Sequence, residues 1–204
     1  MDIANLALST KELQLVSDSS IIFTKNAIIN KVCALFDDLS NSYLIETLNA
    51  PTLSTISPKI SKGEQYQGLP YVMLDYPRLF SKEDVLAIRT FFWWGNFFSI
   101  TLHLKGKYQN KCIEPMLKNF EMLKENNFYV STTINEWEHH PIIGNSLNLK
   151  NLDYTTFEKI AFEHPFLKIS KTFPLNLWEN SMPLLKEEFI LLINCLDLNN
   201  INQT

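Results

Sequence analysis

Glycine is scarce in this chain of 204 residues, which contains only five. Loops that cradle phosphate need closely spaced glycines, and neither G-x-G-x-x-G nor G-x-x-x-x-G-K-[ST] occurs in the sequence. The nucleophile motif G-x-S-x-G, the zinc motif H-E-x-x-H and the redox motif C-x-x-C are also missing. The sequence therefore excludes the enzyme classes that these motifs define, and we assign no catalytic residue and no cofactor from it.

Positive charge is also limited. The chain has 18 Lys and Arg against 22 Asp and Glu, which gives a formal net charge of −4. A nucleic-acid-binding surface needs clustered Lys and Arg, so this balance argues against a nucleic-acid partner. Cysteine is limited to three residues far apart in apolar segments, Cys33, Cys112 and Cys195. This pattern is typical of free thiols in a reducing compartment and predicts a cytoplasmic protein.

Long apolar runs are missing as well. The run AIRTFFWWGNFFSITLHL is interrupted by Arg89, Thr90, Gly95 and Asn96, which makes it a poor membrane-spanning segment. The start of the chain lacks a basic region followed by an apolar stretch, so we expect no signal peptide and no membrane partner.

Helical spacing of apolar residues predicts several helices. A short helix should begin at Ser9 or Thr10, and a longer one should follow it. Residues 113–127 and 152–164 also have helical patterns, the second with Asp153 as its N-cap. The end of the chain is predicted to form a strongly apolar helix from residue 181 onward.

The stretch FFWWGNFF, residues 91–98, is predicted to join a helix to a strand. Residues 80–85 resemble a capping box with a hydrophobic staple, which predicts a helix from about Lys82 to Trp93 or Trp94. Gly95 would end this helix. Beyond it the period changes to two, so residues 97–104 should form a strand with one apolar and one polar side. The rings would close the core, and a ligand pocket is the alternative.

Further strands are predicted over residues 71–76, stopped by Pro77, and over 128–140 and 166–173. Residues 49–70 are predicted to be a long loop with at most one short strand, or a lid over the polar side of the sheet. We therefore expect a single α+β domain over residues 1–204, with the helical segment 1–50 packed on it. Its sheet should be mostly antiparallel or mixed, with about four to five strands and helices mainly on one face.

Six residues are predicted to border the polar side of this sheet: Asp75, Arg78, Trp94, His103, Glu136 and Glu138. Arg78 would hold an anion, and Trp94 would supply a flat apolar contact. This set favours a non-catalytic domain that binds a small molecule or a protein partner. A turn closed by local pairing of Asp75 with Arg78 is the structural alternative.

Two further functions stay open. Glu138 and His140 would lie on one side of an extended strand, and with His103 from a neighbouring strand they would form a metal site. A metal-assisted hydrolase that activates a bound water is the corresponding enzyme hypothesis. Alternatively, exposed aromatic residues would form the interface of a homodimer.

Residues 62–106, KGEQYQGLPYVMLDYPRLFSKEDVLAIRTFFWWGNFFSITLHLKG, resemble a segment from a family of uncharacterised bacterial proteins of the Bacteroidetes type. The stretch FTKNAIINKV near the start is similar to the same family, so the resemblance covers roughly half the chain. It implies no reaction, cofactor or ligand, and no functional residue is carried over from it.

Overall fold

The computed structural model describes residues 6–139, 141 and 144–196, with the side chain of Thr52 left aside. The α-helices within these residues are α1 (Thr10–Ser17), α2 (Ser19–Glu46), α3 (Pro51–Ser54), α4 (Lys107–Lys118), α5 (Phe120–Glu125), α6 (Tyr154–Glu163) and α7 (Ser181–Asn194). The strands are β1 (Lys59–Tyr66), β2 (Leu69–Phe80), β3 (Val85–Trp93), β4 (Phe97–Lys105), β5 (Tyr129–Ser131), β6 (Ser146–Asn148) and β7 (Phe166–Pro174).

These strands form one seven-stranded sheet in the order β1-β2-β3-β4-β7-β5-β6. Every neighbouring pair is antiparallel. The predicted α+β class with an antiparallel sheet is confirmed. The predicted count of four to five strands is wrong, because the patterns of β1, β3 and the three-residue β6 do not identify them as strands.

One face of the sheet is apolar and is covered by helices. On β4, Phe98, Ile100, Leu102 and Leu104 are fully buried, as the alternating pattern predicts. Tyr43 of α2 stacks on Phe189 of α7, with ring centroids 3.7 Å apart. The Tyr43 hydroxyl lies 3.0 Å from Oγ1 of Thr90 on β3, which ties this helical layer to the sheet. Among the helices in the described part of the chain, none combines the length and apolar character needed to cross a bilayer.

The predicted helix ends are confirmed where a side chain caps the first turn. Ser9 accepts a hydrogen bond from the backbone of Glu12, and the Glu12 carboxylate accepts one from the backbone of Ser9. Asp153 accepts a hydrogen bond of 2.7 Å from the backbone of Thr156 at the start of α6. The helix predicted over 113–127 begins earlier, at Lys107, and is divided into α4 and α5 at Asn119.

The helix predicted from Lys82 to Trp94 is wrong, because this region forms β3 and the turn before it. Ser81 accepts a hydrogen bond from the backbone of Asp84, as a helix cap would, but its own backbone also donates to the Asp84 carbonyl and closes a hairpin turn. Most side chains of β3 are buried on both faces, so the strand has no polar alternation to reveal it. FFWWGNFF is thus the β3–β4 hairpin, in which Gly95 adopts a φ of +71°.

Three other expectations need correction. Residues 49–70 contain α3 and the edge strand β1 rather than a long loop or a lid. The strand predicted to stop at Pro77 continues to Phe80, past a cis peptide bond before Pro77 and an irregularity in pairing. The strand predicted over 128–140 is limited to Tyr129–Ser131, so the argument that placed Glu136, Glu138 and His140 on one side does not hold.

Candidate functional site

The second face of the sheet carries charged and polar side chains that pair directly across neighbouring strands. In one row, Asp75 of β2 pairs with Arg89 of β3, and Thr101 of β4 continues the row. In the adjacent row, His103 of β4 pairs with Lys168 of β7. Directly paired residues of an antiparallel sheet share a face, so these five side chains lie together. We call them the polar face.

Residues 132–139, which follow β5, lie over the polar face, and we call them the cover segment. Lys168 Nζ donates hydrogen bonds to the backbone carbonyls of Glu136, at 3.0 Å, and of Glu138. Lys105 Nζ, at the end of β4, lies 2.9 Å from Oε1 of Glu136. Two lysines of the sheet thus hold the cover segment by its backbone and by one carboxylate.

Aromatic residues also hold the cover segment in place. Trp137 meets the His103 ring edge to face, with ring centroids 6.2 Å apart, and lies 6.4 Å from the ring of Phe80. The backbone N–H of His139 donates to the Tyr66 hydroxyl at 2.9 Å. Contacts at residues 136 to 139 therefore come from β1, β2, β4 and β7.

Arg89 and Asp75 form a two-pronged ion pair at the centre of the polar face. Arg89 Nε lies 2.6 Å from Oδ1 of Asp75, and Arg89 Nη2 lies 2.9 Å from Oδ2. Arg89 Nη1 also lies 3.0 Å from Nδ1 of His139. A guanidinium can only donate, so the ring nitrogen that faces it accepts. Asp75 thus compensates the charge of Arg89, and the lysines of the sheet are compensated by other anions.

The charges of the polar face, together with Lys105 beside it on β4, balance only when the cover segment is counted. The sheet contributes three cations and one carboxylate, namely Arg89, Lys105, Lys168 and Asp75. The cover segment contributes two carboxylates, from Glu136 and Glu138. The sheet side therefore has a net charge of two positive units, which the cover segment offsets with two negative units. Since buried charges are costly unless paired, this complementarity stabilises the segment where it lies.

His103 is uncharged at neutral pH. Burial, and then the nearby cations Lys168, Arg89 and Lys105, lower its pKa to about 3. Its Nε2 lies 3.5 Å from Oε2 of Glu136, but with a neutral imidazole this approach is no ion pair. Neither of these two buried atoms has a hydrogen-bond partner among the described residues. The His103–Glu136 contact is therefore a point where the cover segment fits the sheet imperfectly.

Lys168 is the most deeply buried cation of the site, with only 6% of its surface exposed. Burial, and then the charge of Arg89, lower its pKa to about 8, while the acids Glu138 and Glu136 act in the opposite direction. The ammonium form still predominates at pH 7. Lys168 thus depends on the cover segment for both its hydrogen bonds and part of its charge compensation.

Small cavities remain between the polar face and the cover segment, and two of those lined by described residues measure about 20 Å³ each. Both are lined in part by Thr101, His139 and Lys168. A space of this size holds about one water molecule. A ligand of several atoms therefore fits only if it takes the place of side chains or backbone of the cover segment.

Four of the six residues predicted for the site come together here: Asp75, His103, Glu136 and Glu138. The other two lie elsewhere. Arg78 donates from Nε to the carbonyl of Ser57, at 2.9 Å, and so supports the chain before β1. Trp94 packs beside Phe92 against the apolar core rather than on the polar face.

Sequence reasoning missed Arg89, Lys168 and His139 as residues of the site. Arg89 was assigned to a helix, so its place in a row across the sheet could not be predicted. Lys168 had a usable signal, because FLKISKTF alternates and puts Lys168, Ser170 and Thr172 on one side of β7.

The metal-site hypothesis receives no support from the described residues. No group of three His, Cys, Asp or Glu side chains that could hold a metal is found in them. His103 lies next to Glu136, whereas the Glu138 carboxylate accepts a hydrogen bond of 2.8 Å from the side chain of Asn145. His140, the third residue of that hypothesis, lies outside the residues that the structure describes.

Comparison of the chain with protein-family models, with curated proteins and with solved structures finds no match. The resemblance of residues 62–106 to a bacterial family stays a prediction.

Proposed function

We propose that this protein binds a carboxylate-bearing ligand at the polar face, in the space that the cover segment now fills, and that it catalyses no reaction there. The observation that carries the proposal is the charge arrangement, in which the buried Lys168 and the half-buried Lys105 of the sheet are compensated by acids from outside the sheet. The ligand is a small molecule or a protein partner. The compartment is the cytoplasm, where the free thiols of Cys33, Cys112 and Cys195 stay reduced.

The proposal is supported by the net positive charge of the sheet side, which requires a neighbouring anion whether or not the cover segment is in place. Removing the partner of a buried charge costs about 3–5 kcal/mol, so the buried Lys168 favours any carboxylate that reaches it. A ligand carboxylate can replace Glu136 at Lys105, whose side chain is 24% exposed, without changing the total buried charge. Exchange of one carboxylate for another therefore avoids the main electrostatic cost of opening the site.

Calorimetric titration and thermal shift with succinate, citrate and inorganic phosphate test this proposal. We expect Lys105→Met to weaken binding of the best carboxylate at least tenfold, since one charge-assisted contact of about 1.4 kcal/mol corresponds to that factor. Lys159→Met on α6 is the matched control, because that side chain is 71% exposed, and it should bind like the wild type. Equal affinities of the two variants would contradict the proposal, and no response to any of these anions would exclude a small carboxylate as the ligand.

A second candidate function is self-association through the N-terminal helices. α1 buries no residue, and Ile29 is the first buried residue of α2. Eight apolar residues before it are at least 41% exposed: Leu6, Leu8, Leu13, Leu15, Val16, Ile21, Ile22 and Phe23. Exposed large apolar side chains in this number are typical of protein interfaces. Light scattering tests the candidate, and a strict monomer at high concentration would remove it.

The charges of this N-terminal surface favour a second copy of the chain as its occupant. Lys11 and Lys25 are matched by Glu12 and Asp18, so residues 6–28 have no formal net charge. Two copies therefore meet without net repulsion, and a symmetric dimer can use the same apolar surface on both sides.

A further inference from the structure

The cover segment is held through features that any peptide chain of suitable sequence would share. Lys168 contacts the carbonyls of Glu136 and Glu138, which are backbone groups two residues apart. Tyr66 accepts the backbone N–H of His139. These contacts recognise main chain, and a small carboxylate offers no equivalent of them.

The side chains of the segment add a sequence requirement. Glu136 places its carboxylate on Lys105, and Glu138 contributes the second negative charge near Lys168. Between them, Trp137 lies against the rings of His103 and Phe80. The site therefore fits an acidic residue, an aromatic residue and a second acidic residue in succession, followed by a free backbone N–H.

The segment itself is held by side-chain contacts and by a few hydrogen bonds to Lys168 and Tyr66 rather than by secondary structure. Residues 132–139 form no strand or helix, and Ile134 within them is 91% exposed. Trp137 leaves 52% of its surface exposed, and the His103–Glu136 contact lacks a hydrogen bond. A competing chain would thus replace the segment without breaking any pair of strands in the sheet.

We propose that the ligand of the polar face is an acidic peptide with an aromatic residue between two acids, and that Glu136, Trp137 and Glu138 occupy its place within the chain. This inference rests on the proposed function and narrows its ligand from carboxylates in general to a peptide. The cover segment then acts as an internal competitor, so the affinity of the wild type for the peptide is reduced by the fraction of molecules in which the segment is bound.

The test uses a fluorescein-labelled synthetic peptide with the sequence of residues 135–139 and blocked ends, titrated with the full chain by fluorescence anisotropy. Glu136→Gln combined with Trp137→Ala weakens the internal competitor and should bind the peptide at least tenfold more tightly than the wild type. Replacing both Glu residues of the peptide with Gln should reduce this affinity at least tenfold. Adding Lys105→Met to the variant should have a similar effect, whereas adding Lys159→Met should have none. Thermal melts confirm that each variant is folded.

The outcomes separate the two proposals. If citrate or succinate binds the wild type but the weakened variant does not bind the peptide, the peptide inference is wrong and the proposed function stands. If the Gln-containing peptide binds as tightly as the acidic one, acid recognition is wrong and so is the inference. If neither the small anions nor the peptide binds any folded variant, both proposals are wrong.

Discussion

At the scale of single residues, the charge state of His103 links the polar face to pH. Its pKa of about 3 in the folded protein results first from burial and then from the nearby cations Lys168, Arg89 and Lys105. An exposed histidine in the unfolded chain has a pKa of about 6.5. Between these two values the unfolded chain takes up a proton that the folded protein does not. The contribution of His103 to stability is therefore lost as the pH falls from about 6.5 towards 3.

We predict that His103→Gln, which cannot take up this proton, makes the protein less sensitive to acid. From pH 7 to pH 4.5 the free energy of unfolding of the wild type should fall by about 2–3 kcal/mol more than that of the variant. Urea unfolding at the two pH values measures the difference. An equal loss in the two proteins would show that His103 takes up its proton in the folded protein as readily as in the unfolded chain, contrary to this prediction.

Residues of the site could be predicted only where the alternation of polar and apolar residues showed on which side of a strand they lie. His103 was identified because Ser, Thr and His alternate with apolar residues along β4. Asp75 and Glu136 were chosen for their chemistry, and their partners Arg89 and Lys105 could not be named without the pairing of the strands. Arg78 was expected to hold an anion, but a bulge in β2 and the nearby Ser57 carbonyl give it a structural contact instead.

At the scale of secondary-structure elements, a short capping motif led to a wrong helix prediction for β3, a strand that is buried on both faces. The Ser81–Asp84 turn has the same hydrogen bond as a helix cap, and β3 has no alternation to contradict it. Aromatic and β-branched residues dominate β3, a composition typical of strands, and this was the signal to prefer. By contrast, α6 and α7 were predicted correctly because apolar residues at helical spacing form the buried stripe of each helix.

Gly106, which joins β4 to α4, lies close to Glu83 and Asp84 of the Ser81–Asp84 turn. Gly106 has a φ of 60°, and an added Cβ would lie 2.3 Å from both the Glu83 carbonyl oxygen and Asp84 Oδ1. We predict that Gly106→Ala lowers the free energy of unfolding by about 3 kcal/mol, from backbone strain and overpacking together. Urea denaturation at neutral pH measures this loss.

Gly68→Ala is the matched control for that experiment. Gly68 also has a positive φ, +78°, but nothing lies within 4 Å of an added Cβ. This variant should lose only the backbone component, about 1–2 kcal/mol. If the two alanine variants are equally destabilised, the close approach of the Glu83 carbonyl and the Asp84 carboxylate to Gly106 contributes nothing.

At the scale of the whole molecule, one antiparallel sheet separates an apolar layer from a charged one. The class of this fold was predictable because the strands from residues 97 and 166 do not have the continuous apolar runs of parallel sheets. The number and order of strands were not predictable, since β1 is a polar edge strand and β6 has three residues. The order in which strands pair depends on contacts between distant parts of the chain, which local periodicity does not report.

The helical segment before Ile29 gives a prediction at this scale. If the exposed apolar residues form a symmetric interface between two copies, Phe23→Glu, at a side chain 70% exposed, should convert the dimer to a monomer in light scattering. Ile134→Glu is the control, because Ile134 is 91% exposed but lies in the cover segment, and it should leave the dimer intact. Dissociation by both substitutions alike would place the interface elsewhere.

The two edge strands of the sheet, β1 and β6, affect how readily the protein aggregates at high concentration. β1 contains Lys59 and Lys62, and its pairing with β2 is irregular between Gly63 and Tyr66. β6, at the opposite edge, has only three residues. Strands of other molecules pair most readily with an edge strand that is regular and uncharged. Lysines, an irregular register and a short length each oppose such pairing. Crowded solutions of this protein should therefore resist fibril growth by strand addition, whichever partner occupies its faces.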